Sequence, residues 1–238
     1  MASVEESRAL AVDASRALAA AGQADMIWGH VAVRDPQDRG IWIKAPGWGL
    51  EEVTEPRLQL VSFEARVLEG AGDPHKECHI HLEVLRADPR LVCSVHTHAA
   101  GAVAFAALDT PLLPVSHEGA LFAGRDVPRF RTTGALVSTA ARGVALATAL
   151  GDAPAALMPR HGLLAAGTTV PAAVMHAVLL DRACRTQLLA MSAGPVQNYS
   201  STGEARAKAA ECWPPAQIDA GWRYLVRLAD GPPLYPPN

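Results

Sequence analysis

The sequence predicts an α/β fold in a single domain, a central sheet covered by helices. Short β-prone runs recur along the chain in greater number than a helical bundle accommodates. Stretches with apolar residues at helical spacing are interleaved with them. Half of the 238 residues are apolar and only 19% are charged, so the chain can bury one substantial core.

The elements follow in order. Val4 to about Ala21 alternates small apolar and polar residues at helical spacing, with Gly22 as a stop signal, and reads as an amphipathic helix. MIWGHVAVRD reads as a strand, turned by DPQDRG into a second strand, IWIKA. PGWGL is a glycine-rich loop, either a plain turn or a place where backbone approaches a ligand. LQLVSFEARVLEG reads as a hairpin with FEAR at its tip. From Glu77 to about Asp88 the spacing of Ile80, Val84 and Leu85 predicts a helix interrupted by Pro89, and LVCSVHTH then reads as a strand. AAGAVAFAAL suits a buried helix, PLLPVSHEGALF a strand and loop, and GRDVPRFRTTG an exposed connection carrying Arg125, Arg129 and Arg131. VSTAARGVALATALGD predicts a helix ending at Gly151, and APAALMPRHGLLAAG two strands about a turn at Arg160-His161-Gly162. A long helix runs from about Val170 to Met191. The chain is expected to become less regular from about residue 213, with Trp222 and Tyr224 as core or interface residues and PPLYPPN as a tail.

Composition narrows the function. No run reaches the roughly 20 apolar residues of a membrane span, and MASVEESRAL lacks a basic start and an apolar signal core, so a cytoplasmic protein is expected. Cys78, Cys93, Cys184 and Cys212 show no CxxC spacing and read as buried free thiols. A formal net charge of −3 without a long basic block argues against nucleic acid and for a small-molecule partner.

The chemistry concentrates between Glu77 and His98. His96 and His98 are two apart on a predicted strand. They share a face with Cα atoms roughly 6.5–7 Å apart, so two imidazoles can converge on one ion. Glu77 lies 19 residues before the pair, and His161 precedes a glycine in a turn. An isolated HxH is more simply a half-exposed strand whose histidines bond their neighbours. Combined with Glu77 and His161 it points to a metal site. Three imidazoles and a carboxylate suit zinc, manganese, iron or cobalt. His81, one turn from Glu77, either faces the metal or packs behind it, and His176 reads as a core histidine.

Glu77, His96-Thr97-His98 and Arg160-His161-Gly162, in this order and spacing, resemble the class II aldolase/adducin family of sugar-phosphate aldolases and epimerases. The similarity runs from the first helix to about Met191. It implies a single αβα domain with a mainly antiparallel sheet, one divalent metal ion per subunit held by Glu77, His96, His98 and His161, Glu77 also transferring a proton, and a homotetramer with sites at subunit boundaries. The sugar-phosphate members hold phosphate with an asparagine in a GN motif, hydroxyl residues after the next strand and a pair of serines before the acid. Here those places carry Gly29-His30, Lys44-Ala45-Pro46 and His75-Lys76. Bulky cationic groups suit a carboxylate better than the backbone-and-hydroxyl nest of a phosphate. With His117 and Glu118 in SHEGALF, and GWRYLVR near the end, the chain resembles the decarboxylase branch acting on dihydroxyphthalate-like or ring-cleaved hydroxy acids.

Cleavage of a C–C bond beside an oxygen leaves electrons that an enolate or phenolate must hold, and a divalent ion lowers that barrier. The expected function is a metal-dependent decarboxylase. His30, Lys44, His75, Lys76, His79 and Glu118 are the candidate substrate contacts, and Glu77, His117 or His79 the proton donor. An aldolase or epimerase on a small hydroxy-carbonyl compound, and a non-catalytic adducin-like interaction module, are the alternatives.

Overall fold

The computed structural model describes residues 3–124 and 126–231. Arg125 and the tail PPLYPPN lie outside the described residues. The chain opens with α1 (Val4–Leu18), where Ser3 and Glu6 cap the helix reciprocally through side chain and amide, which fixes its start. A π-type turn follows, with Gly22 at φ +78°, the left-handed conformation glycine adopts without steric cost. Strands β1 (His30–Arg34) and β2 (Gly40–Lys44) form a hairpin, as do β3 (Leu58–Ser62) and β4 (Val67–Glu69). Next come α2 (Cys78–Ala87), β5 (Cys93–Thr97), α3 (Ala100–Ala106), α4 (His117–Leu121) and α5 (Ala140–Leu150). A hairpin of β6 (Ala155–Met158) and β7 (Gly162–Gly167) leads to α6 (Val170–Ala193), α7 (Thr202–Cys212) and α8 (Pro215–Asp230).

The seven strands form one sheet in the order β4-β3-β2-β1-β5-β7-β6, and every neighbouring pair is antiparallel. Alternation along each strand divides the core between two faces. Val31, Val33, Leu60 and Val95 pack with α1, α3, α6 and α8 on one side. Ala32, Ile41, Ile43 and Val61 pack against Cys78, Leu82 and Leu85 of α2 on the other, where Ile80 and Val84 also meet Leu146 and Leu150 of α5. The expected αβα sandwich is thus the one observed. Among the described residues no helix is long and apolar enough to cross a membrane.

Four local expectations are corrected. PLLPV carries no strand: its two prolines lack ladder donors, and the Leu112 and Leu113 amides bond the side chains of Asp126 and Gln187 instead. SHEGALF is a short helix because the Ser116 hydroxyl caps it, accepting from the Gly119 amide at 3.2 Å. The chain beyond 213 is regular, since Ile218, Trp222 and Leu225 recur at helical spacing and bury one face of α8. Arg129 is no solvated loop residue: its guanidinium bonds Asp126 and the Thr110 carbonyl and lies over Phe105. Arg131 is exposed and paired with Asp109. Of the four free thiols, Cys78, Cys93 and Cys184 are buried and Cys212 is half-buried.

Candidate metal centre

Four elements deliver the cluster. Glu77 is the residue before α2. His96 lies in β5, central in the sheet, opposite His30 of β1 and Leu164 of β7. His98 follows that strand, and His161 lies in the β6–β7 turn. One ligand atom from each of Glu77, His96, His98 and His161 lies within 4.8 Å of all the others.

The protonation pattern fits a cation. His96 Nδ1 donates to the Leu163 carbonyl at 2.8 Å and His98 Nδ1 to the Asp25 carboxylate at 2.9 Å. Both acceptors lack protons, so both Nδ1 atoms carry one and both Nε2 atoms present lone pairs. Those two Nε2 atoms face each other at 3.2 Å. Burial pushes the His96 imidazolium pKa well below the ordinary value, so His96 does not supply a proton to the gap. Among the described residues neither ring nitrogen of His161, both buried, has a hydrogen-bond partner, Nε2 lying 3.5 Å from Glu77 Oε1. Glu77 also accepts from the Val137 amide at 2.7 Å. Burial would raise its pKa, but the adjoining His161 and His96 rings and the Val137 N–H outweigh it and hold the carboxyl at about 2. Three imidazole nitrogens and an ionised carboxylate fit a divalent ion of the zinc, manganese, iron or cobalt class.

Beside the cluster lies a group of donors. His30 is buried, with its ring 5.1 Å from His96 and 4.2 Å from His75. His75 Nδ1 accepts from the Glu77 amide at 3.2 Å, so its proton sits on Nε2. Burial and the Lys44 charge bring its pKa down to about 4. Lys44 is 1% exposed, and its ammonium donates to the Ile27 and Trp48 carbonyls, both at 2.7 Å. The loop PGWGL therefore serves to hold this lysine. Burial lowers the Lys44 pKa to about 8 against the opposing charges of Glu51 and Glu52.

Lys76 is exposed. His79 turns away to Glu83, 3.8 Å off, and lines a depression of about 490 Å³ with Phe63 and Arg86. His117 is exposed on α4, 3.8 Å from Cys212 Sγ, and its carbonyl accepts from the Trp213 indole. Glu118 is half-buried beside it. His81 packs behind the site, bonded to His30, and His176 bonds the Ala166 carbonyl. Asp25 and Ser94 carry no signal in the sequence, because their partners His98 and His81 are brought to them only by the sheet.

Comparison with known proteins places the fold in a family. Residues 9–188 match the model of the Class II Aldolase and Adducin N-terminal domain. The chain is 30% identical over 202 residues to a 3,4-dihydroxyphthalate decarboxylase of Terrabacter sp. (strain DBF63), covering 80% of this chain and 83% of that protein. It is 29% identical over 184 residues to the Meiotically up-regulated gene 14 protein of Schizosaccharomyces pombe, covering 76% and 71%. The structure of L-fuculose 1-phosphate aldolase from Glaciozyma antarctica PI12 superposes with a TM-score of 0.83 at 26% identity, covering 97% of this chain and 92% of that one. The chain belongs to the class II aldolase and adducin family.

Proposed function

We propose that the protein is a divalent-metal-dependent decarboxylase of a small aromatic or ring-cleaved hydroxy acid. The observation that carries this reading is the donor group of Lys44, His30 and His75 against the Glu77–His161 cluster. Among the described residues Lys44 is a buried cation whose hydrogen-bond acceptors are two carbonyls, with Glu51 and Glu52 offsetting its charge only in part, and a buried charge without a bonded counter-ion is costly. A substrate carboxylate would compensate it, with the His75 Nε2–H as a further donor. The similarity to a 3,4-dihydroxyphthalate decarboxylase supports the same substrate class.

When bound, a divalent ion held by Glu77, His96, His98 and His161 supplies Lewis-acid stabilisation of negative charge on the substrate oxygen. The chain's own groups do the rest. Lys44 and His75 orient the carboxylate. Glu77, ionised and buried, takes the proton of the neighbouring hydroxyl and returns it to the carbon that loses CO2. The electron pair of the broken C–C bond enters the ring, and the resulting phenolate is reprotonated from solvent.

Aldol cleavage is the second reading, favoured by the similarity to the L-fuculose 1-phosphate aldolase structure. Incubating the metal-loaded protein with 3,4-dihydroxyphthalate and measuring CO2 separates the two. Aldehyde release from a sugar phosphate, with no CO2 from aromatic acids, would select the aldolase.

A further inference from the structure

Behind the donor group runs a fully buried chain of three side chains. His30 Nδ1 lies 2.6 Å from His81 Nε2, and His81 Nδ1 lies 2.7 Å from Ser94 Oγ. Ser94 and His81 are 0% exposed and His30 is 1% exposed. Two imidazoles linked in this way share one proton per link, so the tautomer of each ring dictates that of the next.

The direction of the chain follows from its far end. Among the described residues the only group within hydrogen-bonding reach of the Ser94 hydroxyl is His81 Nδ1. A buried O–H without an acceptor is costly, so Ser94 donates. His81 Nδ1 is then the acceptor and its proton is on Nε2. That proton is donated to His30 Nδ1, which leaves the His30 proton on Nε2. Burial keeps His30 and His81 neutral, with pKa values pushed well below the ordinary value and to about 3 respectively.

We propose that Ser94 and His81 are positioning residues that lock His30 in its Nε2–H tautomer, making it a hydrogen-bond donor to the substrate carboxylate and barring it from the metal. His30 lies opposite His96 in the sheet with the two rings 5.1 Å apart, yet the converging ligand set does not include it. The tautomers account for the division. His96 and His98 hold their protons on Nδ1 and offer lone pairs at Nε2, whereas His30 offers a proton there. His75, fixed in the same Nε2–H form by the Glu77 amide, makes the second neutral donor of the pair. The lock follows from the hydrogen bonds alone. The donor role rests on the carboxylate reading of the preceding section.

Two measurements on the zinc-loaded protein test this separately. The first is the long-range proton–nitrogen correlation of the 15N-labelled His30 ring, assigned by its disappearance in His30→Gln. The wild type should show the proton on Nε2. Ser94→Ala should admit the Nδ1–H form, as should His81→Leu. His81→Gln should preserve Nε2–H, because its carboxamide oxygen accepts from Ser94 while its NH2 donates to His30 Nδ1. The second is calorimetric binding of phthalate, a dicarboxylate without the reacting hydroxyls. Ser94→Ala should weaken it about tenfold and His81→Gln by no more than about threefold, the scale of one hydrogen bond. A wild-type His30 protonated on Nδ1, or a tautomer and an affinity untouched by Ser94→Ala, overturns the proposal. An Nε2–H His30 in a wild type that does not bind phthalate overturns the donor role and the carboxylate reading while the lock stands.

Discussion

His96 Nε2 lies 3.2 Å from His98 Nε2, and each ring has committed its Nδ1 proton, to the Leu163 carbonyl and to the Asp25 carboxylate. Two opposed lone pairs at that distance call for a cation. His98→Ala is therefore expected to abolish stoichiometric metal. Asp25→Ala, which keeps all four candidate ligands but frees the His98 ring, should weaken metal affinity about 10–100-fold. Competition with a chelator of known affinity measures both, and an unchanged Asp25→Ala would refute the orienting role.

Lys44→Met separates function from stability. The ammonium is buried against two carbonyls, so on the proposed function its removal takes away the charge that would meet the substrate carboxylate. A decarboxylation kcat/KM lower by about 100-fold or more is expected, the scale on which losing one partner of a buried charge pair is felt. Thermal stability should hold or rise, since a buried charge is replaced by an apolar chain of similar length. A variant with full activity and a lowered melting temperature would show that the lysine is structural.

What could be read from the sequence was local. The His96/His98 pair follows from strand alternation, and the 77/81 spacing from the helical turn. The same turn explains why His81 reaches the inner side of α2 while His79, two residues earlier, faces Glu83 instead. Contacts made by the sheet could not be read in this way. Asp25 meets His98 across 73 residues, and Ser94 meets His81 only because α2 packs over β5. The regular α8 was hidden by the flanking prolines, of which Pro215 stands in the first turn, where a proline lacks no needed donor. His117 and Glu118 carried the right chemistry, but nothing local says which surface a short capped helix will face.

Acid should weaken the metal-free protein earlier than carboxylate protonation would. An unfolded histidine titrates near 6.5, whereas burial holds folded His75 at about 4 and His81 at about 3. Below pH 6.5 the unfolded chain takes up protons that the folded chain refuses. Stability is therefore full above 6.5, falls as the pH drops, and stops falling on their account once the folded rings protonate. The slope is on the order of 1 kcal/mol per pH unit for each ring, less for the partly exposed His75. Urea midpoints between pH 7.5 and 4 measure it. His81→Gln should flatten the profile, and a wild-type profile level down to pH 4.5 would contradict the neutral buried cluster.

The β6–β7 turn sets the tightest steric limit on the centre. A Cβ on Gly162 would fall on the Thr97 carbonyl oxygen and within 3.1 Å and 3.2 Å of the His98 and His96 rings. The carbonyl belongs to β5, which pairs with β7 at this point through Thr97 and Leu163, so it cannot yield without opening the ladder. Gly162→Ala should therefore push His161 out of reach of the other three ligands, lose metal, and destabilise the protein by about 2 kcal/mol, in the range of overpacked sites. Arg160, two positions before Gly162 in the same turn, is a contrasting control. Its φ is +66°, a conformation that costs a non-glycine residue about 1–2 kcal/mol, so Arg160→Gly should hold or raise stability and keep metal stoichiometry. If both variants bind metal equally well, the turn does not set the position of His161.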